Sequence, residues 1–341
     1  MNTQTTIIKI DPWSVIKILS ILIILAFLYL IRDIILIFLG AVILSFIFLP
    51  VVDALEKKGI SRFLGTFLVY LAILLILIGI IIPLIPAFIR EFNFLIEKVP
   101  AYYEFIRQYI GGLDPGWSKI LQNLLNKWSS KIDLSGFEIF SVFGAIFGWI
   151  FILSTLLIIA FYLTVQKEVL KQTLTALTPE KYKENIARLI ELIQKDIGAW
   201  GRGLLILCLV VGLMDYIGLK ILGINFALTL AILGGVFEVV PWLGPWLAGI
   251  FAVVVALTQS PVKALMVAIL YIAVQQIENN LIVPQVMKRA VGLNPLLVIL
   301  ILLIGAKLAG PAGIILAVPV VTVIIILVKE YFKVVKFSSK S

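Results

Sequence analysis

The sequence has no histidine and a single cysteine, Cys208. Without histidine there is no Ser-His-Asp or Cys-His triad, no HExxH zinc site and no histidine proton relay. One cysteine permits no disulfide within the chain and no thiolate metal cluster. No GxxxxGK[ST] phosphate loop is present, so the chain does not itself read as an ATPase. No nucleophile–base pair stands out either, and neither enzymatic chemistry nor a cofactor is expected. Charge is also scarce. Only 14% of the 341 residues are Asp, Glu, Lys or Arg, whereas soluble domains carry about 25%. What fills the chain is apolar: 62% hydrophobic residues and a mean hydropathy of +1.15. The fold class implied is an all-α polytopic membrane protein. The excess of 28 basic over 19 acidic residues then reads as cytoplasmic loops against anionic lipid headgroups, not as a nucleic-acid surface.

Hydropathy divides the chain into six regions. Residues 1–89 hold three predicted spans: Val15–Ile31, Ile34–Val52 and Phe63–Ile89, the last carrying Pro83 and Pro86. The first is too long for a signal-peptide core and is expected to be a retained span. Residues 90–138 are hydrophilic but rich in aromatics such as Tyr102, Tyr103, Trp117 and Trp128. That mixture suits an extracytoplasmic insertion of short interfacial helices. Residues 139–165 are a fourth span. Residues 166–202 form a polar block. Within it, Thr178 is a plausible N-cap with Pro179 at the first helical position, and Tyr182, Ile186, Leu189, Ile190 and Ile193 fall on one face. Residues 203–328 hold a fifth span (203–222), a span at 263–283 and two broken apolar segments. Residues 329–341 are a basic tail. Short-loop Lys/Arg bias puts the 53–62 loop, the 166–202 block and the tail in the cytoplasm. Both termini are then inside, and the 90–138 block is outside.

The broken segments carry the most information. Asn225–Leu257 and Asn294–Leu327 would each run roughly 50 Å as one helix, against a hydrocarbon core of about 30 Å. Each is interrupted near its middle, at Gly244-Pro245 and at Gly310-Pro311. Pro241, Gly244, Pro245, Gly310, Pro311 and Gly313 are thus expected hinge residues, because proline removes a backbone donor and glycine permits the turn. Paired broken segments of this kind are a signature of secondary transporters, whose freed backbone groups line a site. Two arrangements remain open. Kinked single crossings give eight spans with Lys288 and Arg289 outside. Re-entrant hairpins put Lys288 and Arg289 inside and make an inverted repeat, the arrangement the charge rule favours.

Ionisable and amide groups within apolar segments are candidate site residues, since each is costly unless paired or hydrated. They are Asp215, Glu238, Lys307 and the QQIENN run. In that run Gln275, Glu278 and Asn279 share one helix face, and Gln276 and Asn280 share the next. Glu238 and Lys307 could pair, or hold a cation and an anionic group respectively. The amides could replace the hydration of a polar solute. The plainer reading is a snorkelling charge or a polar helix–helix contact.

Three stretches carry a resemblance: VPWLGPWLAGI, QQIENNLIVPQVMKRAVGLNPLLV and GAKLAGPAGIILAVPVV. They resemble the autoinducer-2 exporter (AI-2E) family. The matching positions are Pro241, Gly244, Pro245, Glu278, Asn279, Asn280, Pro284, Gly292, Leu293, Pro295, Gly310, Gly313 and Pro319. One departure is Asn294, where many relatives have histidine. The resemblance implies a prokaryotic inner-membrane transporter acting as a homo-oligomer. The function expected is secondary transport that exports a small polar solute such as autoinducer-2, as attributed to some members; the alternative is sodium(lithium)/proton antiport, attributed to others. A non-transporting membrane scaffold is the remaining alternative. The partners expected are membrane lipids and a small polar solute or a monovalent cation and protons.

Overall fold

A computed structural model describes residues 12–82, 137–241, 243–286 and 295–338. Every regular element among them is helical. The helices are α1 (Pro12–Leu30), α2 (Arg32–Lys57), α3 (Arg62–Ile82), α4 (Phe137–Val165), α5 (Val169–Ala176), α6 (Lys183–Ile221), α7 (Ala227–Phe237), α8 (Leu243–Leu257), α9 (Pro261–Ile277) and α10 (Pro295–Ser338). Residues 90–136 of the 90–138 insertion, Trp242, Lys288, Arg289 and the 292–294 stretch lie outside the described residues. Five described helices are long and apolar enough to cross a membrane, or six if the bent α4–α5 pair is one span. Ile16–Leu30, α7 and α8 are apolar but shorter.

The N-terminal helices α2, α3 and α4 pack around a small buried polar centre. Thr164 Oγ1 donates to Ser45 Oγ at 2.9 Å, and its oxygen lies 2.9 Å from the Tyr70 hydroxyl. At one end of this bundle Arg62 joins three helices. Its Nε donates to the last carbonyls of α4, Thr164 and Val165, at 3.1 Å each. Its Nη1 donates to Asp53 and Glu56 of α2, at 2.7 and 2.8 Å. A cation on the orphan carbonyls of a helix C-terminus is favourable by charge and by hydrogen bonding.

The second half of the polar block, from Lys183, and the fifth span form one continuous helix, the 39-residue α6. Its start differs from the expected N-cap. Thr178 Oγ1 instead donates back to Leu174 O at the end of α5, a tight turn follows over Glu180–Tyr182, and α6 begins at Lys183. The expected apolar face packs as a stripe: Ile190 is buried, Ile186, Leu189 and Ile193 are half-buried, and Tyr182 at its edge is exposed. At about 1.5 Å per residue α6 is close to 60 Å long, so it can serve as a ruler for what packs along it.

Both broken segments double back. In the first, Gly234 of α7 faces Ala248 of α8, and Phe237 stacks near Phe251, with ring centroids 6.4 Å apart. Leu230 shares a buried cluster with Ala252, Val255 and Ala256. Falling numbers on α8 against rising numbers on α7 define an antiparallel helical hairpin. Its tip is Glu238–Leu243, where Gly244 lies against the Phe237 carbonyl so closely that a Cβ there would collide.

In the second, Ala309 (φ −144°, ψ 20°) and Gly310 (φ 57°, ψ −141°) leave helical geometry. Gly310 sits in a backbone region open essentially to glycine alone. The arms 295–308 and 311–338 then fold together, with Gly305 against the backbone of Gly313. In an unbroken helix those two residues would be about 12 Å apart. The arms meet in one buried cluster of Ile301, Leu302, Ala317 and Val318 with Trp200 and Leu204 of α6.

Candidate ion-binding site

Contacts along α6 place the two hairpins in opposite senses. Arg188 near the start of α6 donates to Glu330 on the second arm of α10. Trp200 and Leu204 pack on the middle of that hairpin. Further along, the Cys208 carbonyl lies under Gly235 of α7, and Gly212 touches Ala231 and Gly235. Near the end of α6, Leu219 is clustered with Ile224 and Ala227, the base of the first hairpin. The first hairpin's base therefore sits at the C-terminal end of α6 and its tip points toward Cys208. The second hairpin approaches from the other end. Val239 of the first tip packs against the second hairpin's cluster.

Three carboxyl groups gather where the first tip, α6 and α9 meet. Asp215, Glu238 and Glu278 are only 1%, 4% and 4% exposed. Each comes from a different element. Asp215 projects from α6 into space left by Gly234, and a Cβ at that position would collide with its carboxyl oxygen. Glu238 ends α7 at the hairpin tip. Glu278 begins a π-helical turn, Glu278–Ile282, that interrupts α9. Pro284 follows two residues after that turn and lacks the backbone donor that a regular helix would use there. Single π-turns of this kind re-aim side chains and are frequent at functional sites.

Asp215, Glu238 and Glu278 lie within electrostatic range of one another. Gln275 Nε2 donates to Glu278 Oε2 at 2.7 Å. Asp215 Oδ1, Glu238 Oε2 and the Tyr271 hydroxyl are buried with no hydrogen-bond partner. Among the described residues no basic side chain pairs with any of the three acids. Neighbouring buried carboxyl groups need a proton or a cation to offset their charge, because they repel strongly where water is excluded. Among the described residues no three ligating side chains converge tightly enough to hold a metal ion.

The remaining candidates fall elsewhere. Lys307 is exposed on the first arm of α10, so it does not meet Glu238, which is buried against Glu278. The amide run is split by helix geometry. Gln275 turns toward Glu278, whereas Gln276, Asn279 and Asn280 are exposed. Asn280 folds back onto Gln276, donating to its backbone carbonyl at 2.8 Å and its side-chain oxygen at 3.1 Å. The hinge residues sit at the turns: Pro241 in the first tip, Gly244 and Pro245 opening α8, and Gly310, Pro311 and Gly313 at the second reversal. Tyr271 was not among the sequence candidates. Its signal was there, since Tyr271, Gln275 and Glu278 follow at i, i+4 and i+7, a polar stripe on one helix face.

Two relatives align with this chain over most of its length. The transport protein names attached to them specify no substrate. YrrI of Bacillus subtilis is 26% identical over 302 residues, covering 86% of this chain and 85% of YrrI. YueF of the same organism is 29% identical over 319 residues, covering 88% and 84%. Part of the chain is also similar to YhhT of Escherichia coli, 30% identical over 119 residues, covering 35% of this chain and 34% of YhhT. The profile of the AI-2E family transporter matches residues 18–333, nearly the whole sequence. The chain belongs to the AI-2E transporter family.

Proposed function

We propose that this chain is a secondary transporter in which protons and a monovalent cation compete for the Glu238–Glu278 carboxyl pair, with Asp215 as a third buried charge. The observation that carries this reading is the burial, without a basic partner among the described residues, of carboxyls from separate elements, Glu238 at a hairpin tip and Glu278 at a π-turn. A proton bridges them in one state. A cation replaces it in the other, taking the unpartnered Glu238 Oε2 as a ligand. Asp215 Oδ1 and the Tyr271 hydroxyl are likewise buried without a partner.

The two hairpins are re-entrant in this account. The arms of the first are 11 and 15 residues, about 17 and 22 Å, too short to cross about 30 Å of hydrocarbon. Each hairpin enters from one side, giving eight membrane segments and both termini in the cytoplasm of a prokaryotic inner membrane. The exposed amides Gln276, Asn279 and Asn280 cannot face lipid without cost, which fits their coverage by another copy of the chain.

A second reading, export of a small polar solute such as autoinducer-2, is favoured by the family's description. It would use the amides as hydroxyl ligands, but only Gln275 among them is turned to the acid site. A passive scaffold gives the buried acids no task.

The test is flux in proteoliposomes carrying an imposed pH gradient, with Na⁺, Li⁺ or K⁺ added in turn. Wild type should collapse the gradient with at least one cation, and Glu238→Gln and Glu278→Gln should each reduce that flux at least tenfold. Silence with every cation would reject exchange and leave polar-solute export as the reading.

A further inference from the structure

Asp215 Oδ1 and the Tyr271 hydroxyl are both buried without a hydrogen-bond partner, and the two side chains lie within electrostatic range of each other. Each is seated on a different arm of the first hairpin. Asp215, on α6, fills the space that Gly234 leaves on α7. The Tyr271 ring, on α9, lies so close to Gly249 of α8 that a Cβ there would sit 3.3 Å from its Cδ1. Gly234 in turn faces Ala248, the neighbour of Gly249. One turn beyond Asp215, α6 meets α9 directly, where Leu270 occupies the space that Gly218 leaves free. Tyr271 is the next residue along α9, and its ring also packs on the buried cluster of Leu219, Ala252 and Val255. The ring is therefore fixed from several sides, with its hydroxyl held in the neighbourhood of Asp215.

Each orphaned atom carries the desolvation cost of a hydrogen bond not made. A phenol donates and a carboxylate oxygen accepts, so one hydrogen bond between them removes both costs. We propose that Tyr271 is a positioning residue of the ion site: its hydroxyl closes onto Asp215 Oδ1 when a cation occupies the Glu238–Glu278 pair, and the closed contact clasps the first hairpin between α6 and α9. The proposal rests on the acid-site reading and adds the residue that couples occupancy to the hold on the hairpin. A cation at the pair attracts the Asp215 carboxylate. It also draws in Glu278, which shares a face of α9 with Tyr271, so the phenol moves toward the carboxylate. The closed clasp then holds the tip that carries Glu238 and retains the cation. The two atoms are unpaired in the structure described, so the clasp contributes nothing to the fold until the ion arrives.

The test is proton release from purified full-length protein titrated with Na⁺, Li⁺ and K⁺ in turn, for wild type, Tyr271→Phe, Asp215→Ala and the double variant. Tyr271→Phe keeps the ring and removes only the oxygen. It should melt as wild type does without the cation, yet raise the cation concentration for half-maximal release at least tenfold. In the Asp215→Ala background the same change should move that concentration less than twofold, since the hydroxyl then has no carboxylate to meet. Shifts of equal size in both backgrounds would overturn the proposal. So would a wild-type cation dependence in Tyr271→Phe, with or without a fall in its melting point, since that would leave the ring a packing group. Should Asp215→Ala fail to fold, 3-fluorotyrosine at position 271 reports the hydroxyl in the otherwise wild-type chain. Its fluorine resonance should move as the cation saturates, and a stationary signal would overturn the proposal. No proton release from wild type with any cation rejects the acid-site reading and the clasp with it, whereas release that Tyr271→Phe leaves unchanged rejects the clasp alone.

Discussion

Glu278 has two neighbours with opposite demands. Gln275 offers it a donor at 2.7 Å, whereas the Glu238 carboxyl, when both are ionised, repels it unless a proton or cation intervenes. Gln275 is therefore a positioning residue. It holds one Glu278 oxygen, Oε2. Gln275→Leu should keep the protein folded while raising the cation concentration for half-maximal flux about tenfold, which corresponds to ~1.4 kcal/mol. Gln275→Asn, which retains the amide on a shorter stem, should recover part of that loss. An unchanged concentration dependence in Gln275→Leu would remove the residue from the site. Asp215 depends on a neighbour in another way, since its carboxyl occupies the space that glycine at 234 leaves against α7.

At the scale of elements, the reversal at Gly310 and the crowded Gly305–Gly313 contact make the second hairpin. Gly310→Ala should lower stability by about 1–3 kcal/mol, because the φ and ψ there suit glycine alone. Thermal melting in detergent checks this, and a melting point equal to wild type would show the turn to be more adaptable than its angles imply. The breaks themselves were legible, because Gly-Pro within a long apolar run has few other meanings. Other features were not. The fusion of the polar block with the fifth span into α6 was hidden because hydropathy changes at about residue 203 while helical propensity does not. The π-turn at Glu278 left only Pro284 as a trace. Arg62 read as one more loop cation, and only the fold brings the carbonyl end of α4, 102 and 103 residues away, into its reach.

For the whole molecule, the two hairpins converging along α6 are the framework on which the site depends. Hydropathy could state that each segment is broken but not whether it turns back, since a kinked span and a hairpin share one pattern. Likewise the grouping of Asp215, Glu238 and Glu278 requires three elements to meet, and no spacing along the chain encodes that meeting. Opposed re-entry predicts that position 288, between α9 and the second hairpin, faces the cytoplasm. A cysteine placed there in a Cys208→Ser background should react with a membrane-impermeant maleimide in inverted vesicles and not in right-side-out ones. Labelling from the outside would reject the re-entrant arrangement.

The central claim is that a proton and a cation exclude one another at the Glu238–Glu278 pair. Its most direct test is proton release: purified protein in a weakly buffered solution near neutral pH, titrated with the cation that drives flux and followed with a pH dye. The account predicts saturable release approaching one proton per chain, absent in Glu238→Gln and in Glu278→Gln. Cation binding with no proton released, or release that survives both substitutions, would contradict it.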